Sequence, residues 1–282
     1  MNKTNYHSHT QFCDGRADME DFVREAIRQG FYSYGFSPHG PLPFHTEWTM
    51  ENEDTVNDYI REFERLKALY SEQIQLYAGM EIDYLDETHN PSCDFFRQMP
   101  LDYRIASVHM LRTANKEIVD IDCNPETFKH RLERYFENDL EGLVRLYYKQ
   151  LVRMVESGGF DIVGHADKIS CNANFCRPGI RDEKWYDNIM THYFETIARE
   201  KLMVEINTKQ FERFGVFFPH KKYFALLREL NIPVLVNSDA HEPSLINSGR
   251  DAALKELRAA GVRSVVELDK AVWVEKEIEE KR

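Results

Sequence analysis

The first stretch able to do chemistry lies near the start of the sequence, where Tyr-His-Ser-His-Thr-Gln-Phe-Cys-Asp covers residues 6–14. In an extended strand alternate side chains point to one face, so His7 and His9 project together, with their Cα atoms roughly 6.6 Å apart. That spacing lets both imidazoles reach one divalent cation. Asp14 follows next to Gly15, where a loop is expected to begin at the strand end. An isolated His-x-His pair is weak support for a metal site, so the rest of the chain decides.

Further histidines and carboxylates occur at or near the ends of short apolar segments that are typical of β-strands, each before a loop or helix. They are His39, Glu81, His109, His165, Asp239 and His241. A single histidine or carboxylate at a strand end would be unremarkable. Several strands that end in such residues favour one shared metal site. Imidazoles mixed with carboxylates suit Zn²⁺, Fe²⁺ or Mn²⁺. Together with His7, His9 and Asp14 they exceed the ligands of one tetrahedral ion, and two or three ions sharing a bridging carboxylate would use them all.

Apolar strands and amphipathic helices alternate about seven times along the chain. After a first strand at His7, strands are predicted over 31–37, 74–85, 103–110, 160–165, 202–207 and 232–237. Helices are predicted over 18–29, 56–70, 125–156 with a break near 138–139, 186–199, 221–230 and 251–260, and a short apolar run at 264–268 precedes a charged tail. This alternation predicts parallel strands with helices outside. A length of 282 residues and the lack of a Gly-x-Gly-x-x-Gly fingerprint favour a closed or nearly closed barrel. Catalytic groups of such barrels lie at the C-terminal strand ends, where the candidates fall.

The composition excludes several classes of function. A hydrophobic content of 42% and a charged content of 30% are typical of a soluble globular protein, and the net charge of −12 argues against a nucleic-acid surface over the whole molecule. No apolar run approaches the roughly 20 residues that span a bilayer, and the N-terminus lacks a signal-peptide core. We therefore expect a cytoplasmic protein with no nucleic-acid or membrane partner and, because no Cys-x-x-Cys pair occurs, free thiols. The sequence leaves the oligomeric state open.

The ordered series of candidate ligands resembles that of the PHP (polymerase and histidinol phosphatase) superfamily, and in particular its stand-alone histidinol-phosphatases of histidine biosynthesis. The likeness covers nearly the whole chain. It includes Gly-Phe-Ser-Pro-His-Gly-Pro-Leu at 35–42, Gly-Met-Glu-Ile-Asp-Tyr at 79–84, Ser-Val-His at 107–109, Phe-Asp-Ile-Val-Gly-His-Ala-Asp at 160–167, Glu-Ile-Asn-Thr at 205–208 and Asn-Ser-Asp-Ala-His at 237–241. The resemblance implies a single PHP domain over residues 1–282, an α/β fold of the distorted (β/α)7 barrel type, and a metal site at the C-terminal ends of the strands.

The resemblance also implies three divalent metal ions and distributes the ligands among them. By position, His7, His9, Glu81 and Asp239 would hold the first ion, Glu81 would bridge to a second completed by His109 and His165, and Asp14, His39 and His241 would hold the third. The family often has a histidine where this chain has Asp14. An oxygen ligand there shifts the preference toward Mn²⁺ or Fe²⁺, so the metals, Zn, Fe or Mn, alone or mixed, stay open.

Such a site is suited to hydrolysing phosphate monoesters. Three divalent ions, three carboxylates and a bridging hydroxide leave a charge of about +2, which a phosphate monoester dianion matches. Water bound to such ions loses its proton near neutral pH and becomes the nucleophile. The leaving group could take its proton from a metal-bound water, from Asp239 or from His241. The leading prediction is a phosphomonoesterase that hydrolyses L-histidinol phosphate.

Substrate contacts are predicted from residue types in the loops after strands. In the resemblance, basic residues after the fifth and sixth strands help bind the phosphate, which favours Arg177 and Lys209. The ammonium group of an amino-alcohol substrate also needs an acidic partner. Candidates are Asp83, Asp167 and Glu205, and Glu205 could equally orient a ligand histidine.

Other functions stay open at this stage. PHP phosphoesterases of other specificity include nucleotide phosphodiesterases or exonucleases and phosphotyrosine phosphatases. An amidohydrolase also opens with His-x-His in a barrel, but it usually has a bridging lysine where Glu81 stands. A metal-storage or scaffold protein would concentrate its ligands in one tract, whereas here they are spread over the strand ends.

Overall fold

A computed structural model gives the fold and describes residues 3–279. Its strands are β1 Lys3–Asn5, β2 Phe31–Phe36, β3 Gln75–Ala78, β4 Glu81–Asp83, β5 Ile105–Ser107, β6 Met110–Arg112, β7 Ile118–Asp120, β8 Ile162–Val163, β9 Met203–Asn207, β10 Val234–Asn237, β11 Ser264–Asp269 and β12 Val272–Glu277. Its helices are α1 Met19–Arg28, α2 Glu53–Tyr70, α3 Asp94–Arg97, α4 Pro125–Tyr135, α5 Leu140–Ser157, α6 Ile169–Cys176, α7 Lys184–Arg199, α8 Phe211–Phe214, α9 Phe224–Glu229 and α10 Arg250–Ala259.

Parallel strands form the centre of the molecule. One sheet has the order β1-β2-β3 and the other has the order β10-β9-β8-β5-β4. A parallel bridge between His39 and Glu81 joins the two sheets on one side, and a bridge between Ser8 and Ala240 brings β1 next to β10 on the other. Since β3 and β4 are successive parts of one strand, the ring has seven members. The predicted distorted (β/α)7 barrel is confirmed.

The helices outside the barrel form where local signals predict them. In α2, the Asn52 side chain accepts a hydrogen bond from the backbone N–H of Thr55, which caps the helix start. The predicted break in the long helical region lies between α4 and α5, where Asp139 caps the new helix by accepting from the Gly142 N–H. Within residues 3–279, no helix is both long enough and apolar enough to cross a membrane.

Several elements differ from the sequence-based expectation. The predicted strand over 103–110 ends at Ser107, and a separate hairpin of β6 and β7 follows His109. Helix α6 was not predicted because its sequence, Ile-Ser-Cys-Asn-Ala-Asn-Phe-Cys, has no clear apolar period. Strand β12 was assigned to a charged tail, but its antiparallel pairing with β11 covers the N-terminal end of the barrel.

The N-terminal end of the barrel, called the floor below, is filled by aromatic side chains. Tyr6, Tyr77 and Tyr103 are buried there, and the Trp273 ring of β12 packs edge-on against Tyr6 at a centroid distance of 5.4 Å. The Tyr103 hydroxyl donates to the Tyr6 carbonyl at 2.6 Å. Its ring crosses Gly79 so closely that a Cβ there would lie 2.3 Å from a ring carbon.

Candidate metal centre

All nine candidate ligands lie in one region, where the C-terminal ends of the barrel strands meet. Each follows or begins a strand: His7, His9 and Asp14 after β1, His39 after β2, Glu81 at the start of β4, His109 after β5, His165 after β8, and Asp239 and His241 after β10. Seven of these side chains are buried, and Asp14 and His241 are half-buried. This region is called the mouth below.

Glu81 occupies the centre of the mouth. Its Oε2 atom lies 3.1 Å from His7 Nε2 and 3.1 Å from His39 Nδ1, whereas its Oε1 atom lies 2.8 Å from His165 Nε2. The two oxygens therefore face different sets of imidazoles. A carboxylate in this position is suited to bridging two cations.

The other donor atoms fall into groups whose members all lie within 4.8 Å of one another. The groups are His7 with His9 and Asp239, Glu81 with His109 and His165, His9 with Asp14, His39 and His241, and His39 with Asp83 and His109. In the last group the Asp83 Oδ1 atom accepts hydrogen bonds from both the backbone N–H and the ring of His109, at 3.1 and 2.9 Å. We therefore interpret Asp83 as a hydrogen-bond partner of a ligand.

The spacing of the donor atoms fits divalent metal ions. Around a tetrahedral ion with bonds of 2.0–2.1 Å, neighbouring ligand atoms lie roughly 3.4 Å apart. Here His9 Nε2 lies 3.1 Å from Asp239 Oδ1, and His109 Nε2 lies 3.2 Å from His165 Nε2. His9 Nε2 and His39 Nδ1 are buried and have no hydrogen-bond partner among the described residues. A buried nitrogen that makes no hydrogen bond needs another partner. Because these nitrogens lie close to other potential ligand atoms, a shared cation would be that partner.

Carboxylates behind the ligands orient two of the histidines. The His7 Nδ1 atom lies 2.8 Å from Glu205 Oε2, and the His109 Nδ1 atom lies 2.9 Å from Asp83 Oδ1. With Nδ1 as the hydrogen-bond donor, the Nε2 lone pair of each ring faces the mouth. Glu205 and Asp83 are fully buried, so neither is available as an acidic partner for a substrate ammonium group.

For two of the buried ligands, His9 and Glu81, the pKa shift favours the form that binds metal. Burial and the neighbouring His241 lower the pKa of His9 to about 4, so its imidazole is neutral at pH 7. Burial alone would raise the pKa of Glu81, but His7 and His39 outweigh it and hold that pKa well below its usual value. A neutral imidazole and an ionised carboxylate are the forms that bind metal.

The backbone at Asp239 is strained. Its φ angle is +50°, in the left-handed region that residues other than glycine rarely adopt. The loop is held there by side chains of the first and last barrel strands, since the Asn5 Oδ1 atom accepts from the Ser238 N–H at 2.7 Å and Asn237 Oδ1 accepts from the Tyr6 N–H at 2.9 Å. Strain at a functional residue persists when the surrounding contacts enforce it, and here it turns Asp239 toward the mouth.

A cavity of about 210 Å³ opens onto this centre. The Trp48 ring forms one wall, with its centroid 4.7 Å from the ring of His39. Lys209 lies in the wall as well, with its Nζ atom 3.1 Å from Asp239 Oδ1 and 3.3 Å from His241 Nε2. Of the two basic residues predicted to bind the substrate phosphate, Lys209 is thus placed where it could do so.

The second basic residue, Arg177, does not line this cavity. Its guanidinium pairs with Glu183 at 3.1 Å and lies over the Trp185 ring, and its side chain lines a separate hollow. The cause is α6, an unpredicted helix that ends at Cys176 and carries Arg177 away along its length. The predicted phosphate contact of Arg177 is therefore not supported by this arrangement.

Asp167, the third predicted ammonium partner, also faces away from the cavity. Its Oδ1 atom accepts from the hydroxyl of Tyr186 at 2.9 Å and from the hydroxyl of Tyr148, and its Oδ2 atom accepts from the His220 N–H at 3.3 Å. The carboxylate is fully buried and its hydrogen bonds lie within the core. We interpret its role as joining three helical segments behind the mouth.

Sequence reasoning missed an ion pair at the mouth. The buried Lys168 ammonium lies 3.1 Å from Asp122 Oδ2, and Asp122 lines the cavity. Burial alone would lower the pKa of Lys168, but Asp122 and Asp239 outweigh it and raise that pKa, so the ammonium is charged. The available signal was a lysine three residues after His165. Asp122 gave no signal because the β6–β7 hairpin, which delivers it, was not predicted.

Comparison with known proteins places this centre in a family. The sequence model of the PHP domain matches residues 5–209. A protein of Schizosaccharomyces pombe described as a probable histidinol-phosphatase is 26% identical over 277 residues, which cover 94% of this chain and 89% of that protein. A protein of Deinococcus radiodurans with the same description is 26% identical over 263 residues, covering 92% of this chain and 94% of the relative.

A solved structure shares the fold. The histidinol phosphate phosphatase of Lactococcus lactis, crystallised with zinc, L-histidinol and phosphate, superposes with a TM-score of 0.67 at 19% identity and covers 97% of this chain and 99% of its own. A likeness at this identity concerns the fold alone. The domain match, by contrast, spans most of the chain and includes seven of the nine candidate ligands. The chain belongs to the PHP domain family.

Proposed function

We propose that this protein is a metal-dependent phosphomonoesterase that hydrolyses L-histidinol phosphate to L-histidinol and phosphate. Nine imidazoles and carboxylates around one cavity, with Lys209 in its wall, carry this proposal. The relatives from Schizosaccharomyces pombe and Deinococcus radiodurans, both described as probable histidinol-phosphatases, support the choice of ester.

We propose three ions, held as the family resemblance implies. The first would be bound by His7, His9, Glu81 and Asp239, the second by Glu81, His109 and His165, and the third by Asp14, His39 and His241. The groups of neighbouring ligand atoms described above support this division, although His9 lies close to the third set as well as to the first. Zinc, iron and manganese all suit these ligands, and Asp14 favours the harder ions at the third position.

The chain contributes position and charge to the reaction. Divalent ions bound here would lower the pKa of coordinated water to about 7 and stabilise the charge on the phosphoryl oxygens. Lys209 would donate a charged hydrogen bond to the phosphate. Asp239 and His241 are the proposed proton carriers: the ionised Asp239 carboxylate or the His241 ring would accept the proton released by the attacking water and pass it to the leaving alkoxide, and both lie within 4 Å of Lys209 Nζ. The Trp48 ring would exclude water from one side of the substrate.

Two further predictions belong to this proposal. We propose that the whole chain is one domain, because β12, beyond the matched residues, packs its Trp273 against Tyr6 and Tyr103 in the barrel floor. The cytoplasmic location stays a prediction.

A panel of phosphate esters, with metals quantified on the same preparation, tests the function. We expect the highest kcat/KM for L-histidinol phosphate, compared with p-nitrophenyl phosphate, a phosphotyrosyl peptide and the diester bis-p-nitrophenyl phosphate. Preference for the diester or for the peptide would overturn the proposed substrate. We expect three transition-metal ions per chain and loss of activity under a chelator. Full activity in a sample from which metals have been removed would overturn the metal-dependent mechanism.

A further inference from the structure

The substrate proposed above carries an ammonium group, and the cavity wall restricts which residue can receive it. Five carboxylates among the described residues line the cavity, and three of them, Asp14, Glu81 and Asp239, are proposed metal ligands. The remaining two are Asp120 and Asp122, at the end of the β6–β7 hairpin. The acidic residues expected from the sequence to take this role are all turned into the interior.

Asp120 is already engaged by its neighbours. Its Oδ2 atom lies 2.9 Å from Arg131 Nη1, and its Oδ1 atom accepts from the Asp122 N–H at 2.8 Å. Both oxygens therefore stabilise the hairpin. Each oxygen of Asp120 thus already has a protein partner.

Asp122 has one engaged oxygen and one available oxygen. Its Oδ2 atom pairs with Lys168 at 3.1 Å, whereas Oδ1 makes no hydrogen bond with any described side chain or backbone group. The Asp122 side chain is 29% exposed, and the Lys168 side chain is 8% exposed. Asp122 thus lines the cavity with one oxygen that has no protein partner among the described residues, while its partner Lys168 is shielded from solvent.

The distance to the proposed reaction centre fits a 2-amino-alcohol phosphate. In such an ester the phosphorus and the ammonium nitrogen are separated by four bonds, or roughly 5 Å when extended. Asp122 Oδ2 lies 4.0 Å from His109 Nε2, the atom proposed to bind the second ion. A phosphate over that ion therefore brings the ammonium group within reach of Asp122.

The charges along this wall also match the substrate. The ester carries a dianionic phosphate next to a cationic ammonium group, and the cavity wall presents the cationic Lys209 together with the anionic Asp122. We propose that Asp122 binds the ammonium group and is the specificity-determining residue for phosphate monoesters of 2-amino alcohols. This inference rests on the proposed phosphatase function. Lys168 pairs with Asp122 from behind the wall and adds positive charge close to Asp239.

Two matched esters test this assignment. The ratio of kcat/KM for L-histidinol phosphate to that for its deamino analogue, 3-(imidazol-4-yl)propyl phosphate, measures recognition of the ammonium group alone. We expect a ratio of at least about 100 in the wild type, because a site built to pair with a polar group rejects the analogue that lacks it. Asp122→Asn should bring the ratio to within about threefold of unity.

Further variants separate recognition from folding. Asp122→Asn leaves the buried Lys168 without its anion, so the double variant Asp122→Asn/Lys168→Met removes both charges and should show the same loss of the ratio. Lys168→Met alone should lower kcat/KM for both esters and keep the preference. Asp120→Asn, the matched control on the same hairpin, should keep the wild-type ratio.

The outcomes distinguish this inference from the proposed function. An active wild type with a high ratio that Asp122→Asn and the double variant both retain would overturn the role of Asp122 and leave the phosphatase function standing. Loss of the ratio in Asp120→Asn, but not in Asp122→Asn, would also overturn it. A wild type that hydrolyses neither imidazole ester would instead overturn the proposed substrate.

Discussion

The mouth and the floor of this barrel are built by the same strands but satisfy their polar atoms in opposite ways. On β1 and its extension, Tyr6 points to the floor and His7 points to the mouth. The Tyr6 hydroxyl is 2.7 Å from Ser33 Oγ and accepts from the Leu268 N–H at 2.8 Å. At the mouth, His9 Nε2 and His39 Nδ1 have no such partner among the described residues. The Tyr6 hydroxyl is thus satisfied within the protein, whereas the two buried nitrogens of the mouth are placed to bind cations.

This contrast separates residues that maintain the fold from residues that perform the reaction. Buried polar groups without hydrogen bonds cost free energy, and proteins retain them where a ligand or a reaction needs them. Variants of the mouth should therefore change metal content and turnover with little loss of stability. Variants of the floor should reduce the free energy of unfolding and leave the chemistry of the folded molecules intact.

The largest effect is expected for Glu81→Gln. The amide keeps the shape of the side chain but loses the charge and one of the two oxygens that face different imidazoles. We expect kcat/KM for L-histidinol phosphate to fall by at least about 10³-fold, which corresponds to roughly 4 kcal/mol of transition-state stabilisation. Metal analysis of the purified variant should show fewer ions per chain than in the wild type.

A surface carboxylate provides the control for that variant. Glu229 is exposed and, within residues 3–279, pairs only with its neighbour Arg228, so Glu229→Gln should keep both the metal content and the rate. A Glu81→Gln protein with three ions and full turnover would remove the bridging role of Glu81. It would also remove the distinction between the two ends of the barrel.

At the floor, the largest effect is expected for Gly79→Ala. The added methyl group would lie 2.3 Å from the Tyr103 ring, which is fully buried and whose hydroxyl donates to the Tyr6 and Phe36 carbonyls, so the ring has little room to move. We expect the free energy of unfolding to fall by about 3 kcal/mol, as measured by denaturant unfolding. The metal content and kcat of the remaining folded protein should equal those of the wild type.

A double-mutant cycle identifies the cause of that loss. Replacing Tyr103 by leucine removes the ring that the new methyl group meets, so Gly79→Ala should cost much less in the Tyr103→Leu background. An equal cost in both backgrounds would mean that the ring contact is irrelevant to the glycine. In that case the floor would not depend on this packing.

The same contrast explains how much of the molecule its sequence predicted. The barrel followed from the apolar periodicity of its strands, and the candidate ligands were found because histidine at strand ends is a distinctive signal. Asp122 was missed, and the position of Arg177 away from the cavity was not expected, because both depend on β6–β7 and α6, whose sequences lack a clear period. Tertiary packing, more than local propensity, determines where such short elements run.

An intermediate effect is expected for the carboxylates that lie between mouth and core. Asp83→Asn should weaken metal binding 10–100-fold, because the amide no longer fixes the His109 ring with Nε2 toward the mouth. Glu205→Gln should do the same through His7. Metal content after dialysis against a weak chelator measures both variants. Asp167→Asn is the control, since that carboxylate is equally buried but touches tyrosines, and it should lose stability while keeping its metal.

The smallest effect is expected for Lys209→Met, and it tests whether the mouth extends to the substrate-binding wall. The Lys209 ammonium lies beside Asp239 and His241, where we propose that it binds the substrate phosphate. Loss of this one charged hydrogen bond should lower kcat/KM for L-histidinol phosphate by about 10-fold. Arg177→Met should stay within about twofold, because Arg177 pairs with Glu183 in a separate hollow. Metal content must be measured in parallel, since Lys209 also neighbours two proposed ligands. An unchanged metal content with a raised KM would assign Lys209 to the phosphate, whereas an equal loss in Arg177→Met would mean that the substrate extends beyond the cavity described above.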